Sequence, residues 1–197
     1  MTTWQPPRDE VFPWFERLWD EYKRYCLTVS VRWMALSIET AAYAWWLCEQ
    51  TQAKRVVDLG SGFSSYMLRL YQQDHPDVTV MSVDDNPEWL AKTEKWLARH
   101  DLPTTGLVTP DEFLQSDGWD VVIYDYSGGE IRDAMMEPTV ARTAADGFVI
   151  FDDAQAIVHH LMAVDACRRH GMALFSLVEQ TMDDVGRHAV LGHRVGP

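Results

Sequence analysis

Basic residues are in short supply. The chain of 197 residues has 17 lysines and arginines against 30 aspartates and glutamates, a formal net charge of −13, and no basic block. Sequence-independent nucleic-acid binding needs cations that neutralise phosphates, so nucleic acid is not an expected partner. Cysteine is scarce too. Cys26, Cys48 and Cys167 are far apart and odd in number, which argues against a disulfide framework or a zinc site and suits reduced thiols in the cytoplasm. No apolar run is long enough to span a membrane, and the N-terminus has no signal-peptide pattern, so no membrane partner is expected. Repeats, low-complexity tracts and obvious linkers are absent as well. Hydrophobic residues are plentiful at 47%, which excludes a disordered chain and suffices for one α/β domain with a sizeable core. These limits leave a small molecule or a protein as substrate.

The stretch from Val56 to Ser65 organises the rest. Lys54 to Leu59 is the β-branched, apolar run of a buried strand. Gly60 and Gly62 follow where such a strand must turn, and Ser64-Ser65 leads into a helix. A strand, a glycine turn and a helix start gather backbone N–H groups and a positive dipole end around one point. Glycine there lets a ligand approach the backbone closely.

Upstream, Phe12, Phe15, Trp19, Tyr22 and Cys26 recur at helical spacing from Asp9 to about Leu27, after a loose proline-containing arm. Residues 1–34 therefore read as a helical arm that acts as a lid or a homodimer surface, and residues 35–197 as the main domain. A second helix runs from Ser37, its N-cap, to Gln50. Downstream, strands are expected at 78–83, 106–108, 119–124 and 147–151, with helices between them. The helix through Met135 should break near Pro138. The apolar runs 172–179 and 187–193 are joined only by the short turn 180–186, so they must pair antiparallel. The whole reads as a doubly wound, Rossmann-like, mostly parallel seven-stranded sheet that ends in an antiparallel hairpin.

Ligands of open α/β sheets bind outside the carboxyl ends of the strands. Here those ends carry Asp58, Asp84-Asp85, Asp125 and Asp152-Asp153. Asp84 lies 24 positions after Gly60, suitable for a carboxylate that accepts from the ribose hydroxyls of a nucleoside. His159 and His160 lie inside the following helix and are read mainly as packing residues.

The chain resembles the class I S-adenosylmethionine-dependent methyltransferases over roughly residues 35 to 195, and most of all their small-molecule O-methyltransferase branch. Asp58-Leu59-Gly60-Ser61-Gly62 resembles the methionine-binding motif. Val83-Asp84-Asp85-Asn86-Pro87 resembles the acidic ribose loop, and Gly147 to Ala154 the aspartate-bearing end of the fifth strand. The resemblance implies S-adenosylmethionine as cofactor and a small-molecule hydroxyl or amine as methyl acceptor. It places Asp58, Gly60, Ser61 and Gly62 around the methionine moiety, with Ser64 near its carboxylate. Asp84, with Asp85 beside it, falls at the ribose, Thr109 or Asp111 at the adenine, and Asp125 beneath the sulfonium. Asp125 or Asp153 is then the base. Catechol-type members hold a divalent cation through an aspartate after strand four and an Asp-Asn pair after strand five. Asp125, Asp152 and Asp153 are the corresponding oxygen ligands for Mg²⁺ or another divalent cation. Two departures stand out: Asp153 replaces the Asn, and Gly128 stands where the family's lysine base would be.

Two other readings compete. One is a nicotinamide-dependent oxidoreductase, against which stand the terminal hairpin and the missing third glycine of G-x-G-x-x-G. The other is a cofactor-binding protein without catalysis whose aromatic N-terminal helix docks a partner.

Overall fold

The structure, a computed structural model, describes residues 4–194. Two long helices open the chain: α1 (Arg8–Thr28) and α2 (Ile38–Thr51). Ser37 caps α2, its Oγ accepting from Thr40 N at 3.1 Å. Every residue of α2 from Ile38 to Cys48 is buried except Glu39, as its all-round apolar composition requires.

Strands and helices then alternate: β1 (Arg55–Leu59), α3 (Phe63–Asp74), β2 (Thr79–Val83), α4 (Pro87–Arg99), β3 (Leu107–Val108) and α5 (Pro110–Phe113). After these come β4 (Trp119–Tyr124), α6 (Glu130–Arg142), β5 (Thr143–Phe151), α7 (Ile157–Arg169), β6 (Met172–Ser176), α8 (Val178–Thr181) and β7 (Val190–Arg194). They form one seven-stranded sheet of order β3-β2-β1-β4-β5-β7-β6. β1 to β5 pair in parallel, while β7 is antiparallel to both β5 and β6.

Both faces are covered. Val56, Val121, Ile123, Phe148 and Ile150 pack with α1, α2, α3 and Trp96 of α4. Their strand neighbours Val57, Val122, Tyr124, Val149 and Phe151 pack with α6, α7 and Phe113 of α5. The alternation is the period of two of a strand buried on both sides. Val11, Leu18, Tyr22 and Tyr25 place α1 within the first of these cores.

Four local expectations need correction. Residues 4–7 are docked and not loose: Tyr43 Oη donates to the Trp4 carbonyl at 2.7 Å, and Gln180 Nε2 to that of Pro6 at 2.8 Å. α6 runs through Pro138 unbroken, held by buried Met135, Met136, Thr139 and Val140. β5 begins at Thr143, four residues early, because an irregularity opposite Trp119–Val121 lets the chain pair sooner. The hairpin connection is longer than a turn. Residues 177–189 include α8, and Thr181 Oγ1 accepts from Ala189 N at 2.9 Å. The three cysteines are free thiols, two of them buried. No helix among the described residues is long and apolar enough to cross a membrane.

Candidate functional site

Strand order reverses between β1 and β4, and the crevice at such a switch point is where open α/β sheets bind ligands. A cavity of about 210 Å³ lies there. Its wall is built from the ends of three strands: Gly60 to Ser64 after β1, Asp84 to Asn86 after β2, and Asp125 to Gly128 after β4. Tyr25 of α1 and residues 34–36 close another side, with Trp89 of α4 and Ile131 of α6. The wall has three aspartates and no lysine, arginine or histidine.

Close packing between neighbouring strand ends shapes the glycine turn. Gly60 has φ +98, and a Cβ there would fall 2.1 Å from the Asp125 carbonyl oxygen. Only glycine fits. A Cβ at Gly62 would meet the Tyr25 hydroxyl at 3.0 Å, so α1 closes directly over the turn.

Asp84 ties two loops together. Its Oδ2 accepts from Ser61 N at 2.9 Å and Ser61 Oγ at 3.1 Å, and its Oδ1 from Asn86 N at 3.0 Å. A carboxylate has about four acceptor positions, so one remains for a ligand hydroxyl. Burial raises the pKa of Asp84, against the pull of these hydrogen bonds. Asp85 is exposed and also lines the cavity. Trp89 Nε1 donates to the Ser61 carbonyl, which fixes the turn from the α4 side.

Asp58 has a different place from the one expected. It is fully buried beneath the turn and is not part of the cavity wall. Ser64 Oγ and Ser65 Oγ donate to its Oδ2 at 2.8 and 2.7 Å, and Ser82 Oγ donates to Oδ1. Ser64 lines the cavity, but its hydroxyl serves Asp58. Burial raises the pKa of Asp58, opposed by the Arg69 charge and the three serines. Arg69, itself buried, donates from Nη1 to Ser82 Oγ at 2.7 Å and from Nε to the Pro103 carbonyl at 2.9 Å. Thr109 and Asp111 are exposed and stand outside the wall. The Thr109 N–H and hydroxyl donate to the Glu112 carboxylate at 3.0 and 3.1 Å.

Asp125, Asp152 and Asp153 do converge, each offering an oxygen within 4.8 Å of the others. Of the three, only Asp125 lines the cavity. Burial, then the charges of Asp152 and Asp153, push its pKa well above the ordinary carboxylate range, against Arg132 and Arg187. Burial and the Asp153 charge push Asp152 up to about 7. Asp152 Oδ1 accepts from Thr40 Oγ1 at 3.2 Å. Asp153 sits at φ +57, and its carboxylate accepts from Gln155 Nε2 at 2.9 Å and Arg132 Nη1 at 3.3 Å.

Three carboxylate oxygens are the donor type that a hard divalent cation takes. A cation is already present among them, however: Arg132 is 2% exposed and its guanidinium touches Asp153 directly. A divalent ion would stand beside that fixed charge in a poorly screened interior. Arg132 therefore competes with any divalent cation for the Asp153 carboxylate.

No family model matches the chain, and neither does the sequence of any curated protein. Solved structures do match. The O-methyltransferase TomG from Streptomyces achromogenes, involved in tomaymycin synthesis and solved in complex with SAM, superposes with a TM-score of 0.65 at 15% identity. The match covers 95% of this chain and 90% of that one. An O-methyltransferase from Bacillus cereus, in complex with SAH, gives 0.63 at 14% identity over 97% and 92%. The precorrin-6y C5,15-methyltransferase of Geobacter metallireducens GS-15 gives 0.64 at 14% identity over 82% and 92%. The fold is that of the class I S-adenosylmethionine-dependent methyltransferases.

Within this methyltransferase fold the sequence pointed to the β1, β2 and β4 loops and missed the rest of the wall. Tyr25, Met34, Leu36, Trp89 and Tyr126 were not singled out as site residues. For Trp89 and Tyr126 the signal was faint, an aromatic residue beside a loop that already carried an aspartate, and for Tyr25, Met34 and Leu36 there was none. Tyr126 is informative: its hydroxyl is buried without a hydrogen-bond partner among the described residues, although the residue lines the cavity. An orphaned donor of this kind suits a polar ligand. His159 and His160 lie outside this cavity wall.

Proposed function

We propose that this chain is an S-adenosylmethionine-dependent methyltransferase that moves a methyl group to a hydroxyl or amine of a small molecule. One observation carries the reading: the switch-point cavity of a methyltransferase fold is lined by Gly60, Ser61, Gly62, Asp84, Asp85 and Asp125 together. The glycine turn admits the methionine end of the cofactor, the free acceptor position of Asp84 meets a ribose hydroxyl, and Asp85 stands next to it. Tyr126 Oη has a donor to give. Asp58 acts from beneath, through Ser64 and Ser65, by fixing the turn. Thr109 and Asp111 lie outside the cavity wall, so the adenine is assigned instead to residues nearer Asp85 and Trp89.

When bound, S-adenosylmethionine would supply a methyl group activated by its sulfonium, with the sulfur as the leaving group that would keep the C–S bond electrons. The protein aligns the acceptor and removes its proton. Asp125 is the base: it lines the cavity, and burial raises its pKa well above the ordinary carboxylate range, which makes it a stronger proton acceptor. Asp153 is engaged with Arg132 and Gln155 and lies outside the wall, so it positions rather than catalyses. The test is formation of S-adenosylhomocysteine across a panel of hydroxyl and amine acceptors. Turnover with at least one acceptor is expected, reduced about 10²-fold or more in Asp125→Asn, the scale of general-base catalysis. Tight cofactor binding without turnover on any acceptor would favour the non-catalytic reading.

A further inference from the structure

Asp125, Asp152 and Asp153 bring three formal negative charges within 4.8 Å of one another. Carboxylates that close, away from water, require a counter-charge. We propose that Arg132 is that counter-ion, built into the fold, and that it keeps the cluster free of divalent metal. Arg132 lies in the first turn of α6, and its side chain reaches both strand ends that carry the cluster. Nη1 donates to the Tyr126 carbonyl at 2.6 Å, just beyond β4, and to Asp153 Oδ2 at 3.3 Å. Nη2 donates to the Asp152 carbonyl at 2.8 Å, just beyond β5. One planar fork thus joins the β4 and β5 loops and places its charge against a cluster carboxylate, a geometry that the point charge of lysine does not reproduce.

Arg132 is 2% exposed, so its charge acts on the cluster with little screening by water. Asp153 is held in the left-handed region at φ +57, a conformation that persists in a non-glycine residue when its surroundings impose it. The other cation near the cluster, Arg187, has two of its nitrogens directed elsewhere and its Nη2 without a hydrogen-bond partner among the described residues. Its Nε pairs with Asp183 Oδ2 at 2.8 Å, and its Nη1 donates to the Ala35 carbonyl at 3.0 Å. Arg132 balances one of the three formal charges, and a metal ion would have to compete with its guanidinium for the Asp153 carboxylate. The inference rests on the methyltransferase reading only for its consequence, that proton removal falls to Asp125 without metal help.

The test is Mn²⁺ binding, read by calorimetry and by loss of the free-ion resonance, with neither cofactor nor acceptor present. Its outcome is therefore independent of whether the chain turns over. The parent is expected to show no Mn²⁺ binding at the cluster up to about 1 mM, the weak end of protein sites for hard divalent ions. Binding that survives Asp125→Ala, which removes a cluster carboxylate, belongs to other acidic residues and agrees with the proposal. Parent binding that Asp125→Ala abolishes would overturn it. Arg132→Met, which removes the charge, should gain about tenfold or more in Mn²⁺ affinity, the scale on which neighbours of metal ligands act. Arg132→Lys should show little gain. A folded Arg132→Met with unchanged Mn²⁺ affinity would also overturn the proposal. If Arg132→Met does not fold, Arg132→Gln, which keeps hydrogen-bond donors without the charge, takes its place beside the parent and Asp125→Ala titrations.

Discussion

A carboxylate sealed from water holds its proton more tightly, and Asp152 is such a group. Burial and the Asp153 charge raise it to about 7, against Arg187 and Arg132. Its folded pKa exceeds the unfolded value, so the stability linked to its proton is complete below the ordinary carboxylate range and is lost as pH rises through about 7. Asp152→Asn keeps an acceptor for Thr40 and has no charge to gain. The parent's melting temperature should therefore fall, relative to that of the variant, between about pH 4 and pH 8. Parallel melting curves for the two proteins across that window would contradict the assignment. The same scale shows why single residues were hard to read. Asp58 stood at the end of an apolar run, the expected place for a ligand-facing carboxylate, yet three serines of α3 and β2 claim it. Those partners lie 6, 7 and 24 positions away. Arg132 sits in a helix start rich in charge, which in sequence looks like a solvated face.

Among the elements, the glycine turn was the most legible. A strand, two glycines and a helix start have a local physical cause, and the structure puts each in place. The misreadings share another cause, since each depends on contacts distant in sequence. Pro138 removes one hydrogen bond from α6, but the packing of Met135, Met136 and Val140 outweighs it. The start of β5 depends on its pairing with Trp119, which the sequence of β5 cannot reveal. The two glycines of the turn are unequal in their demands. Gly60→Ala would place a methyl group 2.1 Å from the Asp125 backbone oxygen at φ +98. It should cost about 3 kcal/mol or more, from strain and overpacking together. Gly62 has extended backbone, and its nearest obstacle, at 3.0 Å, is the tip of the Tyr25 side chain. Gly62→Ala should cost under about 1 kcal/mol, since Tyr25 need move only a few tenths of an ångström. Urea unfolding of the two variants measures the difference, and equal losses would show that the turn is not built as described.

For the molecule as a whole, alternation of strands and helices was enough to specify a mostly parallel sheet with an antiparallel end, though not its strand order, because parallel neighbours need long crossovers and antiparallel ones do not. The cavity was only half legible. Its strand-end loops follow from topology, whereas the wall from α1 and residues 34–36 depends on how the N-terminal helices pack over the rim. The central claim is that this cavity holds S-adenosylmethionine, and calorimetric titration with S-adenosylhomocysteine tests it most directly. The account predicts that S-adenosylhomocysteine binds, that NAD neither binds nor competes, and that folded Asp84→Ala loses about tenfold or more in affinity, the worth of one charge-assisted hydrogen bond. Binding of NAD in place of S-adenosylhomocysteine, or an affinity unchanged in Asp84→Ala, would contradict it.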